Sequence, residues 1–147
     1  MAETAWTRAQ QDAISARRGT VLVAAAAGSG KTAVLVQRAI ERLTDRENPV
    51  PADRLLIVTF TKAAAQEMRA RLEQRLWGLI RENPENPVLR RQSLLLPQAH
   101  IGTVDSFCAE MVREFFHVLD ISPEFTILSD KREEELCGEA LEEALQA

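Results

Sequence analysis

Short unbroken runs of apolar residues alternate along this chain with longer stretches in which apolar positions recur every three or four residues, and that alternation predicts the elements. Ala9, Ala13, Ile14 and Ala16 suit a first helix over roughly 8–18, capped by Thr7 and ended by Gly19. Thr20-Val-Leu-Val-Ala-Ala then reads as a buried parallel strand, since a strand covered on both faces needs no polar alternation. Gly-Ser-Gly leads into a helix over about 31–43, and Asn48-Pro-Val-Pro is a loop. Arg54-Leu-Leu-Ile-Val-Thr-Phe reads as a second buried strand. Thr61 can cap a long helix over about 62–82, whose Met68, Leu72, Leu76, Leu79 and Ile80 share one face. Asn83-Pro-Glu-Asn-Pro through Pro97 reads as an irregular connection. His100-Ile-Gly-Thr-Val is a weaker third strand, and Ser106 to Leu119 a further helix. A last helix, about 131–146, opens at Asp130 with Glu133 in capping-box spacing. One helix followed by three β-α units predicts an α/β domain with a mainly parallel sheet flanked by helices.

Composition adds bounds rather than direction. The 147 residues, 46% apolar and 27% charged, have the makeup of one globular domain with a real core. The longest nearly unbroken apolar run, Val21 to Ala27, is far too short to cross a bilayer, so no membrane role is expected. The start Met-Ala-Glu-Thr-Ala-Trp lacks the basic and apolar stretches of a signal peptide. Cys108 and Cys137 have no metal-ligand spacing with His100 and His117, and read as reduced thiols packed on helices of a cytoplasmic protein. The net charge of −4 is concentrated at one end: residues 130–147 hold seven acidic side chains against Lys131 and Arg132, which leaves the first 129 residues at +1. Global charge therefore neither favours nor excludes a nucleic-acid partner.

The specific chemistry lies between the first expected strand and the helix after it. Ala25-Ala26-Ala27-Gly28-Ser29-Gly30-Lys31-Thr32 fits a phosphate-binding loop of the form G-x-x-x-x-G-K-S/T, with Ala25 in place of the first glycine. The glycines let the backbone wrap an anion, so that successive N–H groups from about Ala26 to Thr32 turn inward. The helix that starts there adds the positive end of its dipole. Lys31 supplies a point charge for the β- and γ-phosphates, and the Thr32 hydroxyl can ligate Mg²⁺. ATP with Mg²⁺ is the expected ligand. Alanine at position 25 is tolerable provided its φ stays negative.

Three further stretches stand in order around this loop. Trp6-Thr-Arg-Ala-Gln10-Gln-Asp-Ala-Ile14 precedes it, Thr59-Phe60-Thr61-Lys62-Ala-Ala-Ala-Gln-Glu-Met68 follows the second strand, and Gly102-Thr103-Val104-Asp105-Ser106-Phe107-Cys108 follows the third. Together with the loop they resemble superfamily 1 DNA helicases of the UvrD and RecB kind. Asp105, where those enzymes usually carry His, and Phe125-Thr-Ile-Leu-Ser-Asp130 are most similar to the A-subunit family of AddAB-type helicase–nucleases. The resemblance covers essentially the whole chain. It implies a P-loop NTPase, RecA-like motor domain 1A over residues 1–120, incomplete here, and the start of an inserted helical domain 1B over 121–147. It also implies an adenine contact from Gln10 and contacts to single-stranded DNA from Phe60, Thr61, Lys62, Thr103, Asp105 and Ser106. The parent enzyme would be an ATP-dependent translocase acting at DNA ends in double-strand break repair and recombination. Its implied partner is a second, B-type helicase–nuclease subunit.

Each of these residues also has a structural reading. Gln10 stands three after Thr7, which is capping-box spacing. Thr61, Asp105 and Ser106 are good helix caps. Arg69, Arg71 and Arg75 suit a solvated helix face, and Phe60 and Phe107 suit a core. Rival classes remain: a small P-loop kinase, or a nucleotide-binding module that never meets DNA. Hydrolysis also needs an acidic pair to position Mg²⁺ and water. The family carries it as Asp-Glu, a dipeptide absent from this sequence; Asp120 and Asp130 read as helix-end residues. The expectation is a fragment that binds ATP without sustained hydrolysis.

Overall fold

A computed structural model describes residues 5–26, 28–122 and 124–146, with the side chains of residues 130 and 146 excepted. The expectations for residues 1–4, for Ala27 and for a capping box built on Asp130 lie outside the described residues. Helix α1 covers Arg8–Ser15, α2 Lys31–Leu43, α3 Lys62–Glu82, α4 Pro87–Leu95, α5 Val104–Glu114, α6 Phe116–Leu119 and α7 Asp130–Gln146. Strands β1, Leu56–Thr59, and β2, His100–Thr103, pair in parallel, with Thr59 opposite Thr103. The chain is α/β with a two-stranded parallel sheet.

The first expected strand is not formed. Residues 20–26 have no regular structure, and Leu22 is 93% exposed. A parallel strand exists through its ladder and through cover on both faces. Among the described residues β1 and β2 pair only with each other. The same shortage makes β1 half-buried rather than fully buried: Ile57 faces the core while Leu56 and Val58 are exposed.

The connection over 83–97 contains a helix that periodicity does not reveal. The Asn86 side chain accepts from the N–H groups of Val88 (3.0 Å) and Leu89 (3.3 Å) and opens α4. Pro87 occupies the first helical position, where its missing N–H is harmless. The helix expected over 106–119 starts earlier, at Val104, and breaks at Phe115. Its cap is Thr103, whose hydroxyl accepts from the Ser106 N–H at 3.1 Å. Asp105 and Ser106 therefore sit inside the first turn rather than capping it.

Over its described residues the chain divides into two compact units, Met1–Cys108 and Ala109–Ala147. In the first unit α2, α3, α4 and the sheet enclose a core of Ile40, Leu43, Leu72, Leu76, Leu89 and Leu96. A fully buried leucine of this kind contributes roughly 1.5–3 kcal/mol. Gln92 stitches the core's polar side: its Oε1 accepts from Ala52 N–H (2.9 Å), and its Nε2 donates to the Leu43 (2.7 Å) and Val50 (3.0 Å) carbonyls. Helix α1 rests on α2 through Ala13, Ile14 and Val34. Arg38 of α2 donates to the carbonyls of Ala13 (2.6 Å), Ile14 (3.3 Å) and Ala16 (2.7 Å), satisfying the end of α1. Burial, then the neighbouring Arg42 and Arg17, lower the Arg38 pKa. In the second unit the Arg113 guanidinium lies 5.3 Å from the Phe125 ring centre. The described side chains of α7 are all exposed.

Two further expectations are corrected. Cys108 and Cys137 are free thiols, but both are exposed rather than packed, because neither lies on a helix face that meets a core. Arg69 is not on a solvated face: it donates to the carbonyls of Leu96 (3.3 Å) and Ala99 (3.1 Å) and ties α3 to the turn before β2. Arg71 is exposed and pairs with Glu67 along α3, as a solvated face requires.

Candidate phosphate loop and adjoining cleft

The turn before α2 is set by two glycines in the left-handed region, Gly28 at φ 76° and Gly30 at φ 83°. A side chain at either position would strain the backbone. Among the described non-glycine residues only Asp120 has a positive φ, so Ala25 has the conformation that makes it tolerable. Gly30 is the cap residue of α2 and supplies no side-chain bond. By contrast α3 is capped by the Thr61 hydroxyl, which accepts from Ala64 N–H at 3.1 Å. The N–H groups of the first α2 turn thus lack a side-chain acceptor from the cap, and a helix start of this kind can receive an anion.

Lys31 folds back over the loop. Its ammonium donates to the carbonyls of Ala25 (2.7 Å) and Ala26 (2.6 Å). These contacts hold the cation beside the α2 start. Gln10 touches the loop from α1: its Nε2 donates to the Ser29 carbonyl at 3.2 Å. Its Oε1 accepts from Thr7 N–H at 2.9 Å, while the Thr7 hydroxyl accepts from Gln10 N–H at 3.3 Å. The capping box is therefore present, and the same amide reaches the loop.

A cleft of about 340 Å³ opens beside this turn. Lys31, Thr32 and Leu35 form one wall, and Thr59, Phe60 and Thr61 line the end of β1. Ala64, Glu67 and Met68 of α3 complete it. The structure thus brings Lys31 and Thr32 together with Phe60 and Thr61. Phe60 is 99% exposed and not a core residue, because it leaves β1 at the sheet edge and meets the open cleft. Phe107 is half-buried, its ring edge-on to His100 with centres 6.4 Å apart.

Lys62, Thr103, Asp105 and Ser106 do not line the cleft. They lie at the same carboxyl edge of the sheet, since Thr59 and Thr103 are paired and the Thr59 hydroxyl reaches the Gly102 carbonyl at 3.4 Å. Thr103 is buried, and the Ser106 hydroxyl donates back to its carbonyl at 2.8 Å. Gly102 is tight against this pair: a Cβ there would stand 2.5 Å from the Ser106 Oγ. Glu67 is a cleft residue that sequence reasoning does not single out. Ala64, Glu67 and Met68 stand at i, i+3 and i+4 on α3, the spacing of one helix face, and that face meets the cleft.

A profile of the UvrD/REP helicase N-terminal domain matches residues 6–147. The chain belongs to that family. Among curated relatives, the A subunit of an ATP-dependent helicase/nuclease from Moorella thermoacetica is 51% identical over 146 residues, which is 97% of this chain and 10% of the relative. The protein of the same description from Thermoanaerobacter sp. strain X514 is 52% identical over 143 residues, 97% of this chain and 12% of its own length. That of Clostridium acetobutylicum is 45% identical over 144 residues, 98% and 12% respectively. The chain thus spans about a tenth of the length of the relatives it matches. This UvrD/REP helicase N-terminal domain has no helix among its described residues long and apolar enough to cross a membrane.

Proposed function

We propose that residues Ala25–Thr32 form the ATP-binding loop of a DNA helicase motor, of the kind found in helicase/nuclease A subunits. The observation that carries this reading is the α2 start: an uncapped helix end behind two left-handed glycines, with a lysine ammonium held alongside. Such an end offers N–H donors and a fixed positive potential to a triphosphate. Bound ATP·Mg²⁺ would supply the phosphoanhydride whose cleavage drives translocation. The Thr32 hydroxyl would ligate the metal. Lys31 would leave the Ala25 and Ala26 carbonyls to neutralise the β- and γ-phosphates, and Gln10 would meet the adenine edge. Phe60, Thr61, Lys62, Thr103, Asp105 and Ser106 would meet single-stranded DNA at the sheet edge, the edge where α/β sheets bind ligands. Residues 1–120 would belong to motor domain 1A and 121–147 to domain 1B, in a cytoplasmic parent that pairs with a B-type subunit in break repair.

The chain has no Asp-Glu pair to position metal and water, so it should bind ATP·Mg²⁺ without turning it over. Lys31→Ala should weaken ATP binding by about 10- to 100-fold, since a charge-assisted contact is worth roughly 1.5–3 kcal/mol. Fluorescent-nucleotide titration of both proteins measures this weakening, and steady-state phosphate release measures turnover. Equal affinities would remove the phosphate-loop reading. Phosphate release above the Lys31→Ala level would show that the chain carries a catalytic acid of its own.

A further inference from the structure

Gln10 is the one residue of α1 that touches the phosphate loop through a described hydrogen bond, and it does so through the loop's backbone. Its Nε2 donates to the Ser29 carbonyl at 3.2 Å. The same nitrogen stands 3.5 Å from where a Cβ on Gly30 would be. The Gln10 amide is itself held at its other end, because its Oε1 accepts from the Thr7 backbone N–H. This is a rigid bracket from the start of one helix to the peptide that precedes the next.

That peptide is otherwise easily turned over. Turning the Ser29–Gly30 unit over changes ψ of Ser29 and φ of Gly30, and Gly30, in the left-handed region at φ 83°, accepts either sign of φ at little steric expense. In a planar trans peptide the carbonyl and the N–H point in opposite directions. A bond that holds the Ser29 carbonyl toward α1 therefore holds the Gly30 N–H away from α1. If the peptide flips, the loop presents an oxygen where it had presented a donor.

We infer that Gln10 is a positioning residue for the phosphate loop, which fixes the Ser29–Gly30 peptide so that the Gly30 N–H is available to a polyphosphate whether or not a base is attached. This rests on the reading of Ala25–Thr32 as a phosphate loop and adds to it a role distinct from reading adenine. Base recognition through the Gln10 amide predicts that a ligand without a base is indifferent to Gln10. Positioning predicts that it is not.

The test uses the full 147-residue chain with Mg²⁺ and inorganic tripolyphosphate as the ligand. Gln10→Met removes both the loop bond and the cap contact without adding charge. Thr7→Ala removes the hydroxyl half of the capping box but leaves the Gln10 amide and its bond to Ser29. Melting temperatures identify what loss of capping alone does to the fold. Calorimetric titration should show Gln10→Met binding tripolyphosphate about three- to tenfold more weakly, the effect of one ordinary hydrogen bond, with Thr7→Ala within about twofold of the unaltered chain. The Gly30 amide resonance of the ligand-free chain should move in Gln10→Met and stay in place in Thr7→Ala. Equal tripolyphosphate affinity in Gln10→Met and the unaltered chain overturns the positioning role while leaving the phosphate loop intact. Equal weakening in both variants overturns it in favour of helix capping. No binding to the unaltered chain overturns both the loop and the role built on it.

Discussion

Residues 20–26 and 55–59 are nearly the same sentence written twice: a short apolar run, then a turn, then a helix start bearing a lysine. Only the second becomes a strand. Leu56–Thr59 has β2 beside it in register and α3 beneath it, with Ile57 in the same core as Met68 and Leu72. Residues 20–26 have no ladder partner among the described residues and leave Val21, Leu22 and Val23 exposed. An apolar run is permission to be a strand; a hydrogen-bonded neighbour and a covered face make it one. The difference continues past the strands. Thr61 caps α3 with its own hydroxyl, whereas α2 begins at a glycine with no side-chain cap.

The sharpest way to break this comparison is to attack what supports β1. Leu72→Ala empties a fully buried site beneath the sheet and should destabilise the chain by about 2–5 kcal/mol in chemical denaturation. A loss below about 1 kcal/mol would mean that β1 does not depend on the α3 face. Gln92→Leu should come next, at about 1–3 kcal/mol, because it leaves the Ala52 N–H and the Leu43 carbonyl buried without their partner. Thermal melts of Gln92→Leu and the unaltered chain check this, and equal midpoints would show that the Gln92 amide holds neither partner. The smallest effect belongs to the other run. Leu22→Thr should change stability by no more than about 0.5 kcal/mol, as for an exposed site with no packing to lose. A loss comparable to that of Leu72→Ala would show residues 20–26 packed in solution, and the contrast between the two runs would disappear.

The Lys31 and Gln10 experiments bear on the same contrast from the ligand side. Both alter the uncapped turn and should leave the β1 half of the core in place, since neither side chain belongs to it. Denaturation midpoints tell such local effects from loss of the fold.

Much of the site is legible in the sequence because its chemistry is local. Glycines at 28 and 30 set the turn before α2 and the threonine at 61 caps α3, and both effects depend on neighbours along the chain. The bounds of α2 and α3, and the buried face of α3, follow for the same reason: helical periodicity is a short-range property. Even the double character of Gln10 is half visible, since capping-box spacing names Thr7 as its partner.

What the sequence leaves open requires a partner remote along the chain. Helix α4 is hidden behind two Asn-Pro pairs, although Asn86 and Pro87 are a good helix start; what makes it a core element is Gln92, whose partners lie 40 to 49 residues away. Arg69 reads as a surface charge until the turn before β2 places two carbonyls within its reach. The bond from Gln10 to Ser29 spans 19 residues and has no signature in either local pattern. By itself the sequence determined the bounds of α2 and α3 and the glycine turn before α2, because these follow from φ preferences, periodicity and capping. Only the tertiary structure decided which apolar run became a strand, which polar side chains became structural, and which residues face the cleft, because hydrogen-bond ladders and burial exist only between segments that the fold brings together.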